Sequence, residues 1–353
     1  MTTSTRRVTL EDVAGTMGLS ANTVSRALNG KSGVSEATRG RVRAAAERLG
    51  YVPNAHARSL VLGSRMMIGL VITNASNPYY ADLVTEIEYD AAAAGYTVVL
   101  LISAESSERE LTAADTVLRS GLDGVVVVPV QGSTNPWTRV RRAGIPVVVV
   151  NRELPDLDAD FISTDNDAGS YAATEHVITR GARRVMMLEE DLPISTIRLR
   201  IQGFQRALRD HGVDVDDRDV VAVPTRRHDR AVLPWHADEA YRVAGDLLDR
   251  GHLPDAFVVG NDYFALGLYR ALQARGLSVP DDTMVVGFGD YPFAEFLTPS
   301  LSTVRLPAKA VGRRAITSLL DELGGRKEPG SRTTLMIQPE LVVRESTRRV
   351  IGQ

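Results

Sequence analysis

Asn22 and Arg26 stand one helical turn apart in 18-GLSANTVSRALNG-30, and their side chains suit one kind of chemistry. A carboxamide that both donates and accepts fits an adenine edge, and a guanidinium fits the paired acceptors of guanine. Reading base edges requires a slim helix with a polar outer face and an apolar back. The stretch meets that requirement, with Val24, Ala27 and Leu28 on one side and Ala21, Asn22, Ser25 and Arg26 on the other.

The flanking residues supply what must hold such a helix. Leu10, Val13, Ala14 and Met17 recur at helical spacing after Thr9, whose hydroxyl suits an N-cap, while Glu11 and Asp12 suit the positive helix end. Gly18 can stop this helix and Ser20 can cap the next, so the spacing predicts a helix-turn-helix. A third helix is expected after Ser35, with Val42, Ala45, Ala46 and Leu49 inward. Arg39, Arg41, Arg43 and Arg48 are then available to phosphates or water.

Charge points the same way. The 353 residues carry a formal net charge of -3, but the first 65 hold ten Lys or Arg against four acids, net +6, leaving 31 against 40, net −9, for the remainder. A cationic module on an acidic body suits a polyanionic partner; a solvated basic face or a helical hairpin for protein contacts is the alternative. Pro53 breaks the third helix, and 54–62 is helix-compatible yet too short to be stable alone. That segment is either a linker or an element ordered by something else, with Leu60 then free to act as an apolar wedge between base steps.

From residue 66 the pattern alternates between strand and helix. Apolar runs at 66–73, 97–103, 124–129, 146–150, 184–188, 219–223, 256–260 and 284–288 predict strands buried on both faces. Helices are expected near 80–94, 107–120, 167–180, 197–211, 237–250 and 261–275, stopped by Gly95, Gly121, Gly181, Gly212, Gly251 and Gly276. This is repeated βαβ winding, enough for two doubly wound parallel-sheet subdomains.

Other function classes find little support. The chain has no cysteine, hence no disulfide or thiolate metal site, and its six histidines are scattered. No P-loop, dinucleotide, zinc-protease or serine-hydrolase motif is present, so no enzyme activity, cofactor or metal is expected. The opening MTTSTRRVTL lacks a signal-type apolar run and 66-MMIGLVI-72 is far short of a bilayer span, which predicts a cytoplasmic protein.

Ligands of open parallel sheets bind beyond the carboxyl ends of the strands. Those ends carry Asn77, Tyr79 and Tyr80 in 74-NASNPYYADL-83, Asn151 and Arg152 in 151-NRELP-155, Asp165, Arg200, Trp235, Asn261, and Asp290 in 287-GFGD-290. Aromatic rings that cover a sugar face, with Asn, Asp and Arg for its hydroxyls, make a small-molecule cleft. Trp235 reads equally as core, and Asp165 and Asn261 equally as helix caps.

The stretch 9-TLEDVAGTMGLSANTVSRALNGKSGVSEATRGRVRAAAERLGYVPNAHARSLVLG-63 resembles the LacI/GalR family of bacterial transcription regulators, and the resemblance continues to about residue 346. It implies a lambda-repressor-like helix-turn-helix domain at 1–52, a hinge helix at 53–65, and a body at 66–346 like a type I periplasmic binding protein. The lobes of that body are expected at about 66–165 plus 292–325 and 166–291 plus 326–346.

By that resemblance Ala21, Asn22 and Arg26 take base-reading positions, and Thr9, Ser20, Thr23, Ser25, Asn29 and Asn54 complete the DNA-facing set. Ala57 and Leu60 enter the minor groove. Tyr79, Tyr80, Asn151, Arg200, Trp235 and Asn261 match positions that touch effector. The implied protein is a homodimeric repressor on a pseudo-palindromic operator, released or tightened by a sugar-like effector. The alternative is a solute-binding or sugar-processing protein with an accessory helical domain.

Two departures matter. The family usually places Asp where Gly289 stands, and a small turn where Glu189 and Glu190 stand. Both point away from the usual sugar pose, towards an effector with a positive group or an unusual polyol. Leu60→Ala should weaken operator binding in a gel-shift titration with little loss on random duplex; equal loss on both would remove the wedge role.

Overall fold

The computed structural model describes residues 8–30, 32–51, 64–132, 135–224, 237–328 and 330–348. The chain divides into Met1–Arg65 and Met66–Gln353.

The first unit is built from α1 (Leu10–Met17), α2 (Ala21–Leu28) and α3 (Glu36–Leu49). Thr9 caps α1 through a reciprocal box with Asp12, Ser20 caps α2, and Ser35 caps α3. Each cap satisfies amides that the helix itself leaves orphaned. Val13, Ala14, Val24, Ala27, Val42, Ala45 and Ala46 close the core between the three helices. Residues this small let the helices approach closely, which is how a three-helix unit with few aromatics still buries an interior.

The second unit has two six-stranded sheets. The first runs in the order β11-β5-β4-β3-β1-β2 and is parallel throughout. Its strands are β1 (Met67–Ile72), β2 (Thr97–Ile102), β3 (Gly124–Val127), β4 (Val147–Val150), β5 (Asp160–Thr164) and β11 (Thr334–Ile337). Helices α4 (Pro78–Ala93) and α11 (Ala308–Leu323) cover one face; α5 (Ser107–Ser120) and α6 (Trp137–Arg142) cover the other.

The second sheet runs β12-β10-β9-β8-β6-β7, with only β12 antiparallel to its neighbour. It contains β6 (Val185–Glu190), β7 (Val220–Val223), β8 (Ala256–Val259), β9 (Met284–Gly289), β10 (Ser302–Arg305) and β12 (Glu340–Val342). Around it pack α7 (Asn166–Thr179), α8 (Ser195–Asp210), α9 (Ala237–Asp249) and α10 (Asp262–Gln273).

Eight strands coincide with the apolar runs of the sequence. The short strands β5, β10, β11 and β12 do not, because Ser163, Thr164, Ser302, Thr303, Thr334 and Glu340 interrupt their apolar character. They change where the lobes divide. Residues 302–305 pair within the second sheet and 334–337 within the first. The chain therefore crosses after β5, again near 306–307 and again near 338–339, later than the boundaries expected at 291/292 and 325/326.

Among the described residues no helix is long and apolar enough to cross a membrane.

Candidate functional site

In the first unit, α2 presents Asn22 and Arg26 to solvent while Val24 and Ala27 are fully buried beneath them. Residues four apart on a helix sit about 5–6 Å apart at Cβ, so amide and guanidinium stand side by side on the exposed face of α2. The N-terminus of α2 has no acid in its first turn, which leaves its positive end for a phosphate. Asn29 also faces solvent, although its amide donates to the Ser25 carbonyl at 2.9 Å; Thr9 and Ser20 spend their hydroxyls on capping.

One assignment changes. The Arg39 guanidinium donates to the Gly30 carbonyl at 3.2 Å and pairs with Glu36 at 3.3 Å. It fastens the α2–α3 turn rather than standing ready for phosphate; Arg41, Arg43 and Arg48 are exposed. Asn54, Ala57 and Leu60 lie outside the described residues.

In the second unit a cleft opens between the carboxyl ends of both sheets, with a cavity of about 100 Å³. The first lobe contributes Asn77, Tyr79, Tyr80, Asn151 and Arg152; the second contributes Arg200 and Asn261. Asn77 caps α4 and puts Tyr79 and Tyr80 in its first turn, rings crossed edge-on at 5.6 Å. The Tyr79 hydroxyl donates to Asn151 Oδ1 at 2.7 Å. Asn261 caps α10 through Tyr263 N–H and still lines the cleft, so the capping and lining readings both hold.

Two of the expected residues are spent elsewhere. Asp165 caps α7 and accepts from Gln338 Nε2 at 2.7 Å. Asp290 is clamped by Arg305 and Arg344, each at 2.7 Å. Neither lines the cavity. Trp235 lies outside the described residues.

The floor of the cleft is ionic. Arg152 forks onto Glu105 at 2.8 and 2.5 Å, and Arg200 onto Glu189 at 2.7 and 2.9 Å. Burial works against both guanidiniums, but the paired carboxylates more than offset it and hold both pKa values above the ordinary arginine range. Glu189 sits against the bare Gly260 backbone, where an added Cβ would lie 2.2 Å from its Oε1. Glu190, singled out in the sequence only as a departure from the family pattern, lines the cavity, as do Glu105 and Tyr291, which were not among the site residues named from sequence. Glu105 and Tyr291 lie just beyond strand ends and Glu190 closes β6, which is the signal that would have marked them.

Backbone strain gathers here too. Ala104, Glu105, Gln131, Asn151 and Asp290 all follow strands of the two sheets and hold positive φ, from 48° to 63°. Left-handed non-glycine residues persist only where their surroundings impose them, and they cluster at functional sites.

The lobes touch through polar groups. Gln131 Oε1 accepts from Ser195 N–H at 2.8 Å, Ser195 Oγ accepts from Glu153 N–H at 3.1 Å, and Arg198 pairs with Glu153 at 3.1 Å. Tyr291 of the second lobe donates its hydroxyl to Asn77 Oδ1 of the first at 3.3 Å. Burial pushes the phenols of Tyr79, Tyr80 and Tyr291 up, so each keeps its proton near neutrality.

Comparison with known proteins places both units. Residues 9–54 match the bacterial regulatory proteins of the lacI family, and residues 174–347 match a periplasmic binding protein-like domain. The HTH-type transcriptional regulator MalR of Streptomyces coelicolor is 33% identical over 98% of this chain and 98% of its own. Among solved structures, the lac repressor dimer bound to operator and the anti-inducer ONPF is 26% identical, with a TM-score of 0.83 over 97% of this chain and 99% of that one. The complex of transcriptional regulator CelR with cellobiose is 28% identical, with a TM-score of 0.71 over 96% and 100%.

The buried Asp262 yields a pH test. Burial pushes its carboxyl up to about 6, against hydrogen bonds from Thr303 Oγ1 and Tyr291 N–H, and nearby Asp290 adds to the rise. A carboxyl whose folded pKa exceeds its unfolded one favours folding below about pH 4, and that contribution is lost as pH rises to about 6. Two pKa units correspond to about 3 kcal/mol. Asp262→Asn should remove this slope, so in urea titrations the variant gains on the parent by about that amount between pH 4 and 6.5; parallel profiles would show that Asp262 ionises as it does in the unfolded chain.

Proposed function

The chain belongs to the LacI family of bacterial regulatory proteins, and from that premise we propose that it is a homodimeric repressor whose grip on a pseudo-palindromic operator is set by a small neutral, hydroxyl-rich effector. It is a DNA-binding transcriptional regulator of that family. The observation that carries the DNA reading is the exposed Asn22–Arg26 face on a capped helix docked by buried Val24 and Ala27. Each protomer reads one half-site, as two-fold symmetry requires.

The dimer is supported by apolar surface on the first lobe. Tyr89, Leu100, Ile102 and Leu111 are exposed on edge strand β2 and its flanking helices α4 and α5. An uncovered apolar edge strand is a liability that a second copy removes.

The effector occupies the cleft between the lobes, bonded by Asn77, Asn151, Asn261 and the tyrosines. Two guanidiniums there face the three carboxylates of Glu105, Glu189 and Glu190, a balance that disfavours phosphorylated or acidic ligands. The relative named for cellobiose supports a carbohydrate. Effector binding biases the angle between lobes and thereby residues 53–65, which need only differential affinity for two body states. The protein acts in the cytoplasm and carries out no turnover.

Gel shifts on the protein's own upstream region test the DNA reading. Asn22→Ala should cost about 1–3 kcal/mol on the specific site and little on scrambled duplex. Arg41→Ala should weaken both alike and lower the salt slope by about one. No preference for any genomic fragment, with or without sugars, would overturn the proposal.

A further inference from the structure

We infer that Tyr291 fixes the size of ligand the cleft accepts and that Gly289 is the residue that admits its ring, so that the effector is a single-ring neutral polyol rather than a disaccharide. This rests on the reading of the cleft as the effector site.

Tyr291 leaves the second lobe directly after β9. Its N–H donates to Asp262 Oδ2 at 3.0 Å, and Thr303 Oγ1 donates to the other oxygen of the same carboxylate at 2.7 Å. Asp262 reaches that place only because Gly287 has no side chain; a Cβ there would lie 2.0 Å from Asp262 Oδ1. The backbone bearing the tyrosine is therefore anchored to the sheet.

The ring packs on Tyr263 and Phe293 at centroid distances of 5.4 and 6.1 Å. It is 5% exposed. Its hydroxyl crosses the gap to Asn77 on the opposite lobe. A side chain from one lobe thus spans the cleft and hydrogen-bonds to a capping amide of the other, filling space a ligand ring would otherwise take.

Gly289 makes room for it. Its φ of +144° is one that residues with a side chain rarely adopt, and an added Cβ would lie 3.0–3.2 Å from three ring carbons of Tyr291. A side chain at 289 would both strain the backbone and shift the ring by a few tenths of an ångström. An absent side chain and an inserted ring, two residues apart, therefore act as one device. A second sugar ring needs the volume that Tyr291 holds at the edge of a cavity of about 100 Å³.

Graded thiol labelling tests this without knowledge of the effector, because the chain has no native cysteine. Thr164 lines the cavity at the end of β5 and is 3% exposed, so Thr164→Cys in the full chain reports access to the cleft. Methyl methanethiosulfonate should modify this thiol readily and fluorescein-5-maleimide slowly. Adding Tyr291→Ala should raise the maleimide rate by about tenfold or more and change the small-reagent rate little. Gly289→Ala, which displaces the ring by only a few tenths of an ångström, should raise the maleimide rate less than Tyr291→Ala does, and Tyr291→Phe, which keeps the ring, should still exclude the bulky reagent.

Circular dichroism melts establish that each variant is folded. Equal maleimide rates in folded Thr164→Cys and its Tyr291→Ala partner would overturn the inference. So would a thiol that neither reagent reaches in any background before denaturation, since removing the ring would then open nothing. Tyr291→Phe behaving as Tyr291→Ala would move the gate from the ring to the hydroxyl and overturn it as well. Labelling reads the cleft with no DNA or effector present, so failure of the operator reading would show only in gel shifts and leave these rates unchanged.

Discussion

Two arginine–carboxylate pairs, Arg152–Glu105 on one lobe and Arg200–Glu189 on the other, are buried at the mouths of facing sheets. Much of the cleft follows from keeping them satisfied. A buried ion that loses its partner costs on the order of 3–5 kcal/mol, so each pair must be held whether or not anything else is bound. Gly260 lets Glu189 lie against backbone, and the left-handed Glu105 turns its carboxylate onto Arg152. Because each guanidinium is already forked onto a carboxylate, neither is offered to an anion. Besides the Glu190 carboxylate, the groups left to meet a ligand are neutral amides, hydroxyls and phenols.

The same arrangement explains how a ligand is felt at a distance. The two lobes are separately packed cores, with side chains gathered on each sheet face. Between them run three chain crossings and a set of polar bridges from Gln131, Glu153, Ser195, Arg198 and Tyr291. Packed cores do not deform gradually, whereas polar bridges exchange partners at little cost. A ligand that replaces some of these bridges shifts the lobe angle by its differential affinity alone.

Much of this was legible in the sequence, for identifiable reasons. The helix-turn-helix announced itself because caps and apolar spacing are local signals, and Thr9, Ser20 and Ser35 cap as their types suggest. The buried parallel strands announced themselves as unbroken apolar runs. Strands β10, β11 and β12 did not, since Ser302, Thr303 and Glu340 are fixed by partners in distant parts of the chain. Within the cleft, residues at strand ends were readable because the fold puts every such end in one place. Asp290 and Asp165 misled because their partners, Arg305, Arg344 and Gln338, lie 15 to 173 residues away. Gly289 was visible as a missing carboxylate, but that the Tyr291 ring occupies the space beside it is a fact of three-dimensional packing.

The central claim is that cleft occupancy and operator affinity are one coupled equilibrium. It is tested most directly by measuring that coupling from both ends with a neutral sugar or polyol that raises the melting temperature. Operator affinity is measured with and without the compound, and compound affinity with and without operator. The account predicts the same factor in both directions, on the order of 5- to 150-fold. A compound that fills the cleft and leaves operator affinity unchanged would contradict it.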